Sequence, residues 1–341
     1  MTLSPVPRAT ADRVRSGDGP LVVCGVVPTT DGDVAVLAED LRRSFGAVEA
    51  VRSVDLAVRA GEIYGFLGPN GAGKSTCVRM LCTLLAPSGG RAAVGGFDVV
   101  RDVEAVRLRI GVALQDAALD AKLTGRELLG VQGRLYGMSR KQIAARIESF
   151  GDLVDVAALD RRIGTYSGGM RRRLDLAAAL MHDPRILFLD EPTTGLDPVS
   201  RMRVWEEVRR MNREDGMTIF LTTQYLEEAD ALADRVGIID GGRIVAEGTP
   251  DELKRRIGVD VIVARVEGDP AAAATVVESL DGIASVAVHG DELDIATADG
   301  AAAVGRVAVA LAAAGLHASQ LTLRRPTLDD VFLEVTGERL S

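Results

Sequence analysis

The 341-residue sequence is poor in cysteine: Cys24, Cys77 and Cys82 are the only three. An odd number without framework spacing excludes a disulfide scaffold and suits a reducing compartment. Cys77 and Cys82 fall in an apolar pattern, which points to buried packing rather than metal binding. The three histidines, His182, His289 and His317, have no metal-ligand spacing and no partner motif, so none receives a role. Lysine is also scarce. Lys74, Lys122, Lys141 and Lys254 are the only lysines among 40 basic residues, an arginine bias that reads as the codon usage of a GC-rich genome. A basic surplus is missing: 49 acidic residues give a net charge of −9, against a nonspecific nucleic-acid binder. No run approaches the roughly 18 apolar residues of a membrane helix. The longest candidate, Val304 to Leu316, is rich in alanine and is broken by Arg306.

A secretory leader is not expected either. The apolar run Leu21 to Val27 is short, ends at Pro28, and has Asp12 and Asp18 in the region that should be basic. Residues 1–32, rich in Pro, Gly, Asp and Arg, read as a flexible tail. What remains is ordinary for a folded chain, with 47% apolar and 26% charged residues. Its length predicts about two domains.

Regular patterning begins at Asp33. Val34–Leu41 and Val48–Val58 alternate like strands of a half-exposed sheet. Ile63–Leu67 is a short apolar run before a glycine-rich loop, and a helical pattern follows through Leu85. Residues from about 116 to 165 read as mostly helical, including Gly125–Tyr136 and Arg140–Val156. Strands and helices then alternate through Ile186–Leu189, Val199–Met211, Thr218–Leu221, Leu226–Ala233 and Val236–Ile239. Such alternation predicts a parallel sheet flanked by helices, an α/β core. Composition shifts after Gly258. Strand 260–267, helix 271–280, strands 283–289 and 292–297, helix 301–314 and strand 317–323 give the ferredoxin-like βαββαβ order. A last helix is expected after Pro326, capped by Thr327, with Leu328, Val331, Phe332 and Val335 on one face.

Three motifs carry chemistry. The stretch Gly68-Pro69-Asn70-Gly71-Ala72-Gly73-Lys74-Ser75-Thr76 is a phosphate-binding loop between a strand and a helix. Its backbone N–H groups and the helix N-terminus attract phosphate. Lys74 adds a charge for the β- and γ-phosphates, and the Ser75 hydroxyl can ligate Mg²⁺. Second, the apolar strand Ile186–Leu189 ends in Asp190 and Glu191. Two acids at a buried strand end are costly unless they serve a site. Asp190 fits a Mg²⁺ ligand, and Glu191 fits the base that aligns and deprotonates water. Third, Tyr166-Ser167-Gly168-Gly169-Met170 opens a helix, with Ser167 at its cap. It reads as a second anion-binding helix start or as an ordinary capped helix. The following Arg171-Arg172-Arg173 reads as a solvated helix face.

Taken together, these residues resemble the nucleotide-binding subunit of an ABC transporter over about residues 34–257. Gly68–Ser75 matches Walker A, Gln115 the Q-loop, Ser167-Gly168-Gly169 the signature motif, Ile186–Glu191 Walker B with its glutamate, and Gly195-Leu196-Asp197 the D-loop. Three longer stretches are similar to daunorubicin/doxorubicin-resistance ATPases: Tyr166–Arg173, Thr222-Thr223-Gln224-Tyr225-Leu226-Glu227-Glu228-Ala229-Asp230, and Arg325-Pro326-Thr327-Leu328-Asp329-Asp330-Val331-Phe332-Leu333. They extend the likeness to nearly the whole chain beyond residue 33.

The resemblance implies the P-loop ABC fold, with parallel core, antiparallel β subdomain and a helical subdomain at about 116–182. It implies a cassette over 33–257 and an appended ferredoxin-like module over 258–341. ATP and Mg²⁺ are the implied cofactors, with Gln115 beside Ser75 and Asp190 at the metal. Phe45 occupies the position of an aromatic that stacks on adenine; burial in the antiparallel sheet is the alternative. Asp197 either reaches a partner's phosphate loop or simply caps a helix. The implied assembly is a head-to-tail dimer of ATP-binding subunits, joined to a separate permease at the cytoplasmic face of the plasma membrane, with no nucleic-acid partner. The implied activity is ATP-driven export of a drug-like or hydrophobic natural product.

Two positions depart from the general ABC pattern. Met170 replaces a usual amide, and Gln224 stands where the switch histidine is expected. Glutamine can donate to a γ-phosphate but cannot become cationic near neutral pH. The competing reading is a soluble ABC-type ATPase acting on DNA or the ribosome. Residues 76–165 leave no room for a long coiled coil, and only one cassette is present. The C-terminal module reads as bracing or contact surface rather than as a sensor, because no polar groups converge there.

Overall fold

A computed structural model describes residues 34–114, 119–151, 153–258 and 260–337. The predicted tail at 1–32 and Gln115 lie outside the described residues. Strands β1 (Val34–Phe45) and β2 (Val48–Arg59) form an antiparallel hairpin. β3 (Ile63–Leu67) leads through the glycine-rich loop into α1 (Lys74–Leu81). Then come β4 (Gly89–Val94), β5 (Phe97–Asp98), α2 (Val103–Arg107) and β6 (Ile110–Ala113). A helical stretch holds α3 (Gly125–Leu135), α4 (Arg140–Ser149), 3₁₀ turns at Val156–Asp160 and Ile163–Thr165, and α5 (Gly168–Ala179). The core resumes with β7 (Ile186–Asp190), α6 (Pro198–Asp215), β8 (Thr218–Thr223), α7 (Leu226–Leu232), β9 (Arg235–Asp240), β10 (Arg243–Gly248) and α8 (Pro250–Ile257).

Ten strands run in the order β5-β4-β1-β2-β10-β9-β3-β8-β7-β6. β9, β3, β8, β7 and β6 are parallel, so loops that bear function gather at one carboxyl edge. Both faces of this parallel part are covered, as strand periodicity requires. Phe188 and Phe220 pack with Tyr64 and Phe66 on the face shared with α1 and the antiparallel strands. Leu187, Leu189, Ile219 and Leu221 point to the other face, against α5, α6 and the helical stretch. The Phe220 ring lies 5.5 Å from those of Tyr64 and Phe188, which makes the first face an aromatic core.

The C-terminal part contains β11 (Asp260–Glu267), α9 (Pro270–Glu278), β12 (Ile283–His289), β13 (Glu292–Thr297), α10 (Gly300–Ala313), β14 (His317–Arg324) and α11 (Leu328–Thr336). Its antiparallel sheet has the order β12-β13-β11-β14 and its own apolar core, the expected ferredoxin-like arrangement. α11 leaves that module and returns to the nucleotide side. Leu328, Val331 and Phe332 pack with Leu67, Leu226, Ala229 and Leu253. Several predicted boundaries shift. The helix expected over Arg140–Val156 stops at Ser149, and the one expected to reach Leu85 ends at Leu81, before Thr83 at φ +60°.

Candidate active site

Each glycine of the loop after β3 answers to a specific constraint. A Cβ on Gly68 would lie 2.4 Å from the Ile239 carbonyl oxygen. Gly73 has φ +107°, and a Cβ there would lie 2.6 Å from the Ala50 carbonyl oxygen. Gly71 has φ +83° in open space. Only glycine tolerates such left-handed backbone without strain. Within the loop, Ala72 N–H donates to Pro69 O, and Asn70 lies on its exposed outer side. Gly73 caps α1 with no side-chain hydrogen bond, leaving the helix start without a side-chain acceptor. Thr76 lies half-buried in the first turn.

Lys74 folds back over its own loop. Its Nζ donates to Gly68 O at 2.7 Å and Pro69 O at 3.1 Å, and lies 3.8 Å from Glu191 Oε1. Burial pulls its pKa down, while Glu191 and Asp190 pull it back up. Ser75 Oγ donates to Asp190 Oδ1 at 3.1 Å. The same oxygen accepts Thr222 Oγ1 at 2.5 Å. Ser75 and Asp190 thus present oxygen donors from facing elements. That donor set fits a hard cation such as Mg²⁺, which keeps most of its positions for water and phosphate oxygen.

Glu191 has φ +48°, a costly conformation for a non-glycine residue that must be held by its surroundings. Its N–H donates to both the carbonyl and the hydroxyl of Thr222, each at 3.1 Å. Thr194 Oγ1 donates to Glu191 Oε2 at 3.2 Å. Thr222 therefore orients both acids. The sequence offered only a weak sign of it, a threonine pair ending β8. Gln224 follows that strand immediately, half-buried, at the edge where Asp190 pairs with Thr222. The β6 strand ends at the same edge, with Ala113 opposite Leu189.

Phe45 ends β1 and is 47% exposed, so it is not buried in the antiparallel sheet. The Arg43 guanidinium lies 4.7 Å from its ring centroid.

A second cluster forms around α5. Ser167 Oγ accepts Met170 N–H at 3.2 Å as the helix cap. A Cβ on Gly169 would come within 2.8 Å of Ser200 Oγ, so α5 starts hard against α6. Asp197 caps α6, with one oxygen on Ser200 N–H at 2.9 Å and the other on Ser200 Oγ at 2.6 Å. Among the described residues, no hydrogen bond or ion pair joins Ser167, Gly168, Gly169 or Asp197 to the loop at 68–76. The start of α5, capped by its own Ser167, thus lies apart from the start of α1 within the chain.

The arginine run is not a uniform solvated face. Arg171 is exposed and Arg173 half-buried, but Arg172 is only 8% exposed. Its guanidinium turns inward and donates to backbone carbonyls at and just beyond the carboxyl ends of β6 and β7. His182 packs against the Tyr136 ring at 3.7 Å, with Nε2 3.0 Å from Ile110 O, a structural position.

Comparison with known proteins agrees with this geometry. Residues 51–194 match the family described as ABC transporter, and residues 248–336 match the family described as the C-terminal domain of DrrA1-3-like ATP-binding proteins. A daunorubicin resistance ATP-binding protein, DrrA3 of Streptomyces coeruleorubidus, is 48% identical over 90% of this chain and 97% of its own length. A daunorubicin/doxorubicin resistance ATP-binding protein of Streptomyces peucetius is 46% identical over 89% of this chain and 92% of its own. Among solved structures, an ATP-binding subunit of an ABC transporter superposes with a TM-score of 0.60 at 26% identity. That match covers 65% of this chain and 92% of the other.

Proposed function

The chain belongs to the ABC transporter ATP-binding proteins of the daunorubicin-resistance group, and from that premise we propose that it drives export of a drug-like or hydrophobic natural product through a separate permease. It binds and hydrolyses ATP. The observation that carries the site assignment is the meeting of Lys74, Ser75, Asp190 and Glu191 at one carboxyl edge.

In this reading the loop at Gly68–Thr76 cradles the phosphates, and Lys74 supplies positive charge where negative charge develops. Phe45 stacks on the adenine. Ser75 and Asp190, with Gln115, would hold Mg²⁺, which would neutralise phosphate charge when bound. Glu191 accepts the proton of the attacking water. Its strained backbone fixes the carboxylate, and Thr194 occupies one of its oxygens. Gln224 donates to the γ-phosphate through its amide.

Residues 33–257 act as the cassette, with the helical part at about 116–182, and residues 258–341 as an appended module. Two subunits close head to tail, so that Ser167, Gly168 and Gly169 of one cap the ATP of the other and Asp197 lies at the junction. The separation of the starts of α1 and α5 within one chain supports this. An open groove between the core and the helical stretch, lined by Leu84, Arg107, Leu128, Gln132 and Tyr136, supports permease docking. No helix among the described residues is long and apolar enough to cross a membrane, so the pore is assigned to another chain.

The test is Glu191→Gln. Removing the base should slow turnover by roughly 10²–10⁴ and leave ATP binding intact. Turnover near wild type would end this assignment.

A further inference from the structure

Within the arginine run after the signature glycines, Arg172 is set apart by what it touches. Its Nε donates to Pro192 O at 2.9 Å. Nη1 donates to Leu114 O at 2.8 Å and to Asp175 Oδ2 at 3.0 Å. Nη2 lies 3.3 Å from Asp190 O and 3.5 Å from Ala113 O. Four of these five acceptors are backbone carbonyls. Two belong to the end of β6, directly before Gln115. The other two flank Glu191 on either side.

This pattern is specific to a guanidinium. Five N–H donors in a rigid plane can reach carbonyls on two strands at once, and the delocalised charge is cheaper to bury than an ammonium. Asp175, one turn along α5, supplies the counter-charge. The contacts also meet a need. Glu191 sits at φ +48°, and such a conformation persists only when neighbours over-determine it. Thr222 holds the Glu191 N–H, while Arg172 holds the carbonyls before and after it. The side chain that does so projects from the helix whose first turn carries Ser167, Gly168 and Gly169.

We propose that Arg172 is a positioning residue for hydrolysis, tying the signature helix α5 to the carboxyl ends of β6 and β7 so that the signature glycines and Glu191 move as one body. The proposal rests on the ATPase reading of the site. It makes the partner-facing surface of α5 and the base of the same chain mechanically continuous, so that docking of a nucleotide on one is felt at the other.

The experiment compares full-length Arg172→Lys with wild type and with Glu191→Gln. Steady-state kcat and KM are measured beside the affinity for a fluorescent ATP analogue. Lysine keeps the charge but not the fork. A displaced base predicts a kcat loss of up to about 10²-fold with KM and analogue affinity unchanged. A merely structural role would lower the melting temperature and the nucleotide affinity together and leave kcat per bound nucleotide unchanged, which would overturn the proposal. Wild-type kcat in Arg172→Lys beside an inactive Glu191→Gln would overturn it while leaving the ATPase reading intact. Should Arg172→Lys fail to fold, Asp175→Asn takes its place. The proposal expects a lowered kcat at unchanged nucleotide affinity there too, and an unchanged kcat would refute it.

Discussion

At the scale of single residues, the site is built from groups that the interior makes uncomfortable and neighbours make tolerable. Asp175 shows this in a measurable way. Burial lifts its carboxyl to about 6, with the Arg172 guanidinium pulling the other way. A folded-state value above the ordinary carboxyl value of 3.8 means that folding favours the protonated acid. Its contribution to stability is therefore fully present below that value and lost as pH rises through about 6. Against Asp175→Asn, which cannot titrate, wild type should lose on the order of 3 kcal/mol across this window. Urea unfolding at both ends of the window measures the difference, and a constant gap would contradict the assignment. The sequence made Lys74, Ser75, Asp190 and Glu191 legible because each sits in a short spacing code beside an apolar strand. Thr222 and Arg172 were not legible. Apart from Asp175, their partners lie 18 to 59 positions away along the chain, and only the fold makes them neighbours.

At the scale of elements, the amphipathic patterns marked the long strands and helices, and the short ones escaped. β5 has two residues and α2 five, too few for a period to show. α8 is a different case, because Thr249 and Glu252 form a capping box behind Pro250 that a closer reading could have used. α11 was legible to its cap: Thr327 and Asp330 form a capping box, and Leu328, Val331 and Phe332 are buried. What its own residues could not say was where that face goes. It packs against α8 and against α7, the helix that follows Gln224, and shares an apolar cluster with Leu67. Phe332 is 1% exposed, and Phe332→Ala should cost about 3–5 kcal/mol if its surroundings stay rigid. Denaturant unfolding followed at Trp205 on α6, whose indole N–H donates to Glu228 of α7, reads this. A loss well under 1 kcal/mol would mean that α11 is only loosely docked.

At the scale of the whole molecule, the proposed head-to-tail pairing sets the phosphate loop of one subunit against the signature helix of another. A closed two-fold pair satisfies both half-sites at once and leaves none open. Complementation separates this from a site completed within one chain. Lys74→Ala damages the phosphate loop and leaves α5 intact. Gly168→Asp does the reverse, placing a negative charge where a phosphate would dock. The position suits the test because a Cβ on Gly168 meets only Leu196 Cδ2 at 3.8 Å, an ordinary contact, whereas Gly169 has no such room. An acid at a helix start is also favourable to the helix itself, so the fold should survive. Each variant alone should be inactive. In a mixed pair, the intact loop of the Gly168→Asp subunit faces the intact helix of the Lys74→Ala subunit, and one composite site is restored. Mixing the two should therefore recover ATPase activity that neither shows alone. If every site were completed within its own chain, no mixture could contain an intact one, and the mixed sample would stay as inactive as its parts.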